Sequence, residues 1–103
     1  MEESIVKESE VQKQIQYYLS SLGAFHFKTI ANTTNGIPDL IACLDGKFVA
    51  IEVKKPGGKP SPLQVVKIRK IEEAGGIAFI AYSVEDVKRL IEKPQVNVSQ
   101  TTI

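Results

Sequence analysis

The hydrophobic and polar positions along the chain divide it into three amphipathic stretches and four short apolar runs. The first amphipathic stretch has apolar residues at the helical spacing i, i+4, i+7, i+8 and i+11, namely Val11, Ile15, Tyr18, Leu19 and Leu22. Gly23 follows this stripe and predicts the end of the helix. Ser9 is a candidate N-cap, with Gln12 in the matching capping-box position. This pattern therefore predicts a first helix that starts near Ser9.

Two strand-like apolar runs flank Asp45-Gly46, a dipeptide typical of a two-residue type I′ hairpin turn. In such a hairpin the numbers of facing residues sum to 91, so Asp39 is predicted to lie opposite Glu52. Side chains alternate between the two faces of a strand, which places Asp39, Glu52 and Lys54 on the same face. Because both faces are otherwise mostly apolar, we expect the hairpin to be buried on both sides.

The other elements follow from shorter signals. Phe25 to Ile30 is predicted to be a strand, with its phenylalanines on one face. Ser61-Pro62 with Gln64 predicts a helix start that combines an N-cap, a proline at N1 and a capping box. The buried side of that helix is predicted to be Leu63, Val66, Ile71 and Ala74. Ile77 to Tyr82 has the length of a buried strand, and Ser83 is predicted to cap a last, short helix.

The resulting order, α-β-β-β-α-β-α, predicts an α/β fold with a mixed β-sheet flanked by helices. A strand-helix-strand connection through the second helix places the last strand parallel to the second hairpin strand. The length of 103 residues is that of one domain, with a core at about 9–93. We expect residues 94–103 to form a tail or an extra edge strand.

Composition narrows the classes of protein. The single cysteine, Cys43, excludes an internal disulfide and a zinc cluster, and is predicted to be a small core residue. The chain has neither an apolar run long enough for a membrane span nor a secretory signal, which predicts an intracellular, cytoplasmic protein without membrane contact. The net charge is only +1, yet the stretch from Lys47 to Lys70 contains seven basic residues and one acidic residue. This basic band favours a polyanionic partner, or else is a solvated helix face.

The facing acids predict a candidate site for chemistry. Directly opposed residues have Cβ atoms about 4.5–5.5 Å apart, so Asp39 and Glu52 would repel each other. A hard divalent cation would remove that repulsion, since Mg²⁺ commonly binds one or two carboxylates. Each acid alone is more often solvated surface charge, but their combination with Lys54 favours a metal site.

At these residues the chain resembles the PD-(D/E)xK nucleases, and most closely their VRR-NUC (virus-type replication-repair nuclease) branch. The resemblance extends from about Ser9 to Tyr82. It rests on Glu10, Gly36-Ile37-Pro38-Asp39-Leu40, Glu52-Val53-Lys54 and Ser61-Pro62-Leu63-Gln64. It implies a restriction-endonuclease-like fold that hydrolyses DNA phosphodiester bonds with Mg²⁺ or Mn²⁺.

The resemblance also assigns roles to single residues. Asp39, Glu52 and the Val53 carbonyl would hold the ion, with Glu10 near a second ion or a bound water. Lys54 would orient the attacking water or stabilise the phosphate, and Gln64 would help to position them. Glu10 has an alternative role, since a first-turn acid is favoured by the helix dipole. Gln64 likewise has an alternative role in the capping box.

The implied partner is DNA, branched as in a four-way (Holliday) junction, cut by a homodimer. Candidate DNA contacts are Lys55 and Lys59 in the basic connector, and Asn32, Thr33 and Asn35 in the polar loop before Asp39, which could equally be an ordinary turn. Three alternatives stay open: a non-catalytic DNA-binding module, a protein-interaction domain, and a nuclease that prefers flaps, nicks or plain duplex.

Overall fold

A computed structural model of the chain describes residues 7–30 and 35–92. Its elements follow the predicted order and are α1 (Glu8–Ser21), β1 (Phe25–Lys28), β2 (Leu40–Leu44), β3 (Lys47–Val53), α2 (Pro62–Glu73), β4 (Ile77–Ala81) and α3 (Val84–Glu92). The predictions for Asn32, Thr33 and residues 94–103 lie outside the described residues. No helix within the described ranges has the length and apolar character needed to cross a bilayer.

The four strands form one mixed sheet in the order β1-β2-β3-β4. The β2–β3 pair is antiparallel, and its register from Leu40↔Ile51 to Leu44↔Lys47 follows the predicted sum of 91. Asp45 and Gly46 both have positive φ angles, of 52° and 79°, as a type I′ turn requires. β4 lies parallel to β3, so the predicted mixed sheet and hairpin register are confirmed.

One face of the sheet carries the core. Helices α1 and α3 pack on this face, and their buried residues meet the alternate residues of the strands. The cluster consists of Val11, Ile15, Leu19, Leu40, Ala42, Val49, Ile51, Val53, Ala81 and Val87. The predicted stripe of α1 is confirmed at Val11, Ile15 and Leu19, whereas Leu22 lies at the helix end and is exposed.

The other face is covered only in part, and here two predictions are wrong. Helix α2 packs over β3 and β4 but buries none of its residues fully, so Leu63, Val66 and Ala74 of its predicted buried side remain exposed. The hairpin is buried on both sides only at its open end, because Cys43 and Phe48 near the turn are exposed. One helix cannot cover four strands, and the β1–β2 half of this face is left open.

The start of α1 also differs from the prediction. Lys7 is the N-cap, it makes no side-chain capping hydrogen bond, and Ser9 lies inside the first turn. A side-chain cap contributes only about 1 kcal/mol, so the packing of the helix outweighs it. The earlier start brings Glu8 into the helix, which matters for the site.

Candidate active site

The site forms where the pairing of β2 with β3 ends. The last ladder pair is Leu40↔Ile51. Asp39 and Glu52 follow it, and both lie on the opposite face of the sheet from that pair. Val53 donates its backbone N–H to Asp39 Oδ2 at 2.8 Å, in place of a strand partner. Lys54 donates its N–H to the Ala81 carbonyl of β4 at 3.0 Å. Because backbone groups of successive strand residues point to opposite sides, the Val53 carbonyl points toward Asp39.

Two contacts fix the segment that carries Asp39. Thr29 donates its backbone N–H to the Asp39 carbonyl at 2.8 Å and its hydroxyl to the Pro38 carbonyl at 2.9 Å. Gly36 has a φ of +82°, and a Cβ there would lie 2.7 Å from Leu63 Cγ and 3.1 Å from the Leu63 backbone. Only glycine fits this close approach. The loop is thereby held against the start of α2, which brings Asp39 to the side of Gln64.

Lys54 and Gln64 converge on one oxygen of Glu52. Gln64 donates its amide Nε2 to Glu52 Oε2 at 2.9 Å, and Lys54 Nζ lies 3.4 Å from the same oxygen. Gln64 Oε1 accepts from the Ser61 N–H at 2.8 Å, and Ser61 Oγ accepts from the Gln64 N–H at 3.2 Å. The capping box is therefore confirmed, and the same amide also reaches the site.

Glu52 is the most unusual residue of this group. It is 3% exposed, and its Oε1 is buried without a hydrogen-bond partner among the described residues. Burial raises its pKa to about 7, and the Asp39 charge adds to the rise, while Lys54 opposes it. Burial also raises the pKa of Asp39, against the Val53 hydrogen bond that lowers it. The positive charge of one lysine therefore does not fully offset the negative charges of two buried acids.

These residues fit a divalent cation. An ion would satisfy the unpartnered Glu52 Oε1 and offset the mutual repulsion of the two carboxylates. The described ranges contain no group of three or more His, Cys, Asp or Glu side chains that could hold a metal. The available donors are thus the Asp39 and Glu52 carboxylates and the Val53 carbonyl, with water for the rest. Such a set is typical of Mg²⁺.

Comparison with known proteins decides the family. The model of the VRR-NUC domain family matches residues 2–85, which is most of the chain. The chain belongs to the VRR-NUC family of nucleases. A solved structure described as "VRR_NUC domain" superposes with a TM-score of 0.75 at 30% identity, over 88% of this chain and all of that one. This confirms the restriction-endonuclease-like fold that the sequence predicted.

Two further proteins are similar to this chain. A "VRR_NUC domain protein" shares the fold, with a TM-score of 0.69 at 22% identity over 87% of this chain and 88% of that one. "Putative nuclease p44" of Acyrthosiphon pisum secondary endosymbiont phage 1 is 31% identical over 62 residues. That match covers 59% of this chain and 67% of the phage protein.

Sequence reasoning chose one glutamate on α1 of this VRR-NUC domain, and the structure favours another. Glu10 is exposed, whereas Glu8 is half-buried and its charge contributes to the raised pKa of Asp39. Residues two apart on a helix face different directions, so only one can point at the site. Glu8 is the functional candidate that the prediction missed. The buried stripe Leu19, Ile15, Gln12, when continued by one turn, leads to Glu8 and could have identified it.

Gln12 marks the point where this stripe becomes polar. It is buried, and its Oε1 has no hydrogen-bond partner among the described residues. It lies one helical turn from Glu8, on the same side of α1. A buried amide next to a site acid suits a role in holding that acid in place.

The predicted DNA contacts of the VRR-NUC domain are placed as follows. Lys55, Lys59 and Asn35 are exposed close to the site in the chain. A cleft of about 350 Å³ reaches the site, and Lys28, Thr29, Asp39 and Gln64 contribute to its walls. The cleft therefore opens onto Asp39, with Lys28 as a basic residue in its lining.

Proposed function

We propose that this VRR-NUC domain is a Mg²⁺- or Mn²⁺-dependent DNA endonuclease that hydrolyses phosphodiester bonds. The observation that supports it most is Glu52, a buried acid beside a second acid and Lys54, with one oxygen that has no hydrogen-bond partner within residues 7–30 and 35–92. A non-catalytic DNA-binding module has no use for this arrangement, because burying an acid lowers stability unless the charge is balanced.

Each side chain then has a task. Asp39, Glu52 and the Val53 carbonyl would hold the ion, which when bound supplies a Lewis acid for the phosphate and a water of lowered pKa. Lys54 stabilises negative charge that develops on the phosphate. Gln64 fixes the orientation of the Glu52 carboxylate through its 2.9 Å hydrogen bond. Glu8, whose charge acts on Asp39, takes the role near a second ion or a bound water that the resemblance had given to Glu10.

The test is cleavage of labelled DNA with and without divalent cation. Wild-type protein is expected to cut in Mg²⁺ or Mn²⁺ and not in EDTA. Asp39→Asn keeps the shape of the side chain but removes its charge, so cutting should fall by more than about 100-fold while the circular dichroism spectrum is unchanged. Ser83→Ala changes the cap of α3, outside the site, and is the control for effects of substitution and purification that do not involve the site. Full activity of the Asp39→Asn variant would refute the proposal.

We further propose that the preferred substrate is branched DNA, such as a four-way junction, and that the enzyme works as a homodimer. The preference is carried by the family resemblance and suits the basic band from Lys47 to Lys70. One chain has one site, so paired cuts in two strands need two copies. Phe25 and Phe27 support self-association, since both are exposed on the edge strand β1.

Substrate choice and assembly are tested separately. Initial cleavage rates on a four-way junction, a flap, a nicked duplex and a plain duplex of matched sequence should be highest for the junction. Equal rates on all four, or a maximum on plain duplex, would contradict the preference. Sedimentation velocity should show a dimer that Phe25→Lys with Phe27→Lys dissociates. A monomeric wild type at assay concentration would contradict the dimer.

A further inference from the structure

A second pocket, outside the carboxylate site, lies between α2 and the end of β3 that carries Phe48. Its volume is about 380 Å³, which is within the range of small-ligand sites, about 300–1,000 Å³. Its apolar walls are formed by Ile37, Phe48 and Ile71. Phe48 is 49% exposed. A Cβ on Gly76 would lie 2.8 Å from Ile71 and 3.2 Å from Phe48, so the missing side chain lets them pack here.

Two cations lie on the same pocket. Lys67 and Lys70 are three residues apart on α2, so they project to the same side of the helix, and both line the cavity. The ion pairs among the described residues are Lys54–Glu52 and Arg89–Asp86, and neither involves these lysines. No acid is among the residues that line the pocket. An apolar pocket with two available ammonium groups fits a ligand that is flat and apolar on one part and anionic on another.

A second copy of the chain fits this pocket poorly. A two-fold interface brings the same patch of both copies together. Centred here, it would bring Lys67 and Lys70 of each copy close to those of the other, without an acid in the lining to pair with them. Like charges in contact are costly, so the charge distribution favours an anionic partner.

The pocket is continuous with the active site. Ile37 lines both this pocket and the cleft that contains Asp39 and Gln64. Only Pro38 lies between Ile37 and Asp39, and two residue steps of extended chain span at most about 7 Å. A single stretch of DNA can therefore occupy both at once.

We propose that this pocket binds one unpaired nucleobase of the DNA substrate, stacked on Phe48, with the adjoining phosphates near Lys67 and Lys70. The proposal rests on the nuclease function above and adds what the enzyme reads next to the cut. Bases stack on exposed aromatic rings whatever their sequence, and lysines neutralise the neighbouring backbone. The pocket would thus favour DNA with an unpaired nucleotide near the cut, as in a flap or where a base pair opens at a branch point.

The experiment compares two DNA ligands that differ only in the bases of the unpaired segment. Both are duplexes with a short flap, one with normal flap nucleotides and one with abasic residues, and binding is followed by fluorescence anisotropy in EDTA. Phe48→Ala should weaken binding of the normal flap by about 5- to 100-fold, and binding of the abasic flap by less than about twofold. Phe48→Leu keeps the apolar packing without the aromatic ring and should show a smaller loss of the same kind.

The lysines should behave differently, because they contact phosphate. Lys67→Ala with Lys70→Ala should weaken both ligands equally and lower the slope of log affinity against log salt by roughly 0.7–0.9 per lysine. Tyr17→Ala, an 82% exposed aromatic residue on α1, and Lys13→Ala on the same helix are the matched controls. Neither should change the difference between the two flaps.

Several outcomes would overturn the proposal. If Phe48→Ala weakens both flaps equally, or neither, no base stacks on this ring. If Phe48→Ala converts a dimer to a monomer in sedimentation, the face is an interface between copies. In both cases wild-type protein that still cuts DNA in Mg²⁺ leaves the nuclease function standing. Wild-type protein that neither binds nor cuts any DNA would refute the function and the pocket together.

Discussion

The two faces of the sheet are built from the same strands but have opposite properties. On the face covered by α1 and α3, the strand side chains at the centre of the sheet, such as Leu40, Val49 and Ile51, are apolar and fully buried. On the α2 face, the buried position at one end is the acid Glu52, while the apolar Phe48 at the other end is exposed. The centre of the α1/α3 face therefore follows the rule of apolar inside and polar outside, whereas the α2 face departs from it at both ends. Such departures are expected at functional sites.

The energetic difference between the faces is large. Full burial of a residue such as Ile15 or Leu19 contributes about 1.5–3 kcal/mol. Glu52 is also almost fully buried, but its environment disfavours the charged form, as the raised pKa shows. The core face therefore stabilises the fold, and this stabilisation offsets the cost of burying Glu52 on the α2 face.

The largest expected effect is on stability. Ile15→Ala removes a completely buried side chain from the core face and should lower the free energy of unfolding by about 2–5 kcal/mol. Val66→Ala on the open α2 face should lower it by less than about 1 kcal/mol. Urea unfolding measures both. Equal losses would mean that the two faces contribute alike.

The next effect is on catalysis and compares two neighbouring lysines. Lys54 lies 3.4 Å from Glu52 and is mostly buried, whereas Lys55 is exposed. Lys54→Ala should lower the cleavage rate at saturating DNA by about 100-fold or more. Lys55→Ala should only raise the DNA concentration needed, and less so at higher salt. Similar rate losses in both variants would show that Lys54 has no catalytic role distinct from that of Lys55.

The raised pKa of Glu52 makes stability depend on pH. Because burial and the Asp39 charge raise its pKa from 4.5 to about 7, the folded chain holds a proton that the unfolded chain releases in this range. Stability in EDTA should therefore fall as the pH rises from about 5 to 7, by at most about 1.4 kcal/mol per unit. Glu52→Gln should flatten the curve in thermal melts. Parallel curves for the two proteins would contradict the buried acid.

The two glutamates of α1 give a smaller effect. Glu8→Gln should lower cleavage by about 10-fold, because it removes the carboxylate proposed to hold a second ion or a bound water near Asp39. Glu10→Gln should change it little, because Glu10 is exposed. Cleavage rates at a fixed Mg²⁺ concentration distinguish them. The reverse order would restore the residue that the sequence pattern had suggested.

The smallest effect separates the two roles of Gln64. Ser61→Ala breaks half of the capping box and should cost about 1 kcal/mol of stability with little loss of cleavage. Gln64→Ala should cost similar stability and also lower cleavage, because Glu52 loses its 2.9 Å hydrogen bond. If both variants lost activity in proportion to stability alone, Gln64 would be only a cap.

Local signals predicted most of the fold. Asp45-Gly46 set the turn and hence the register, which placed Asp39 next to Glu52. Ser61, Pro62 and Gln64 set the start of α2 in the same way. These predictions succeeded because each depends on backbone geometry within a few residues. The proximity of the two acids followed from the fold because they lie at a fixed position in the hairpin.

Predictions that depended on what covers a surface failed. Leu63 and Val66 have helical spacing, but spacing shows only that a stripe is apolar and not that another element covers it. Cys43 and Phe48 were expected to be buried for the same reason. The choice of Glu10 came from the family resemblance, and the burial of Glu8 depends on how α1 packs, which the sequence pattern does not show.

The central claim is that Asp39 and Glu52 together bind a divalent cation. Isothermal titration of Mn²⁺ into the protein tests it without any DNA. Wild-type protein and the Ser61→Ala variant should bind Mn²⁺ with release of protons, because the raised pKa of Glu52 leaves it partly protonated near pH 7. Asp39→Asn and Glu52→Gln should each lose that binding. Unchanged Mn²⁺ binding in both acid variants would contradict the account.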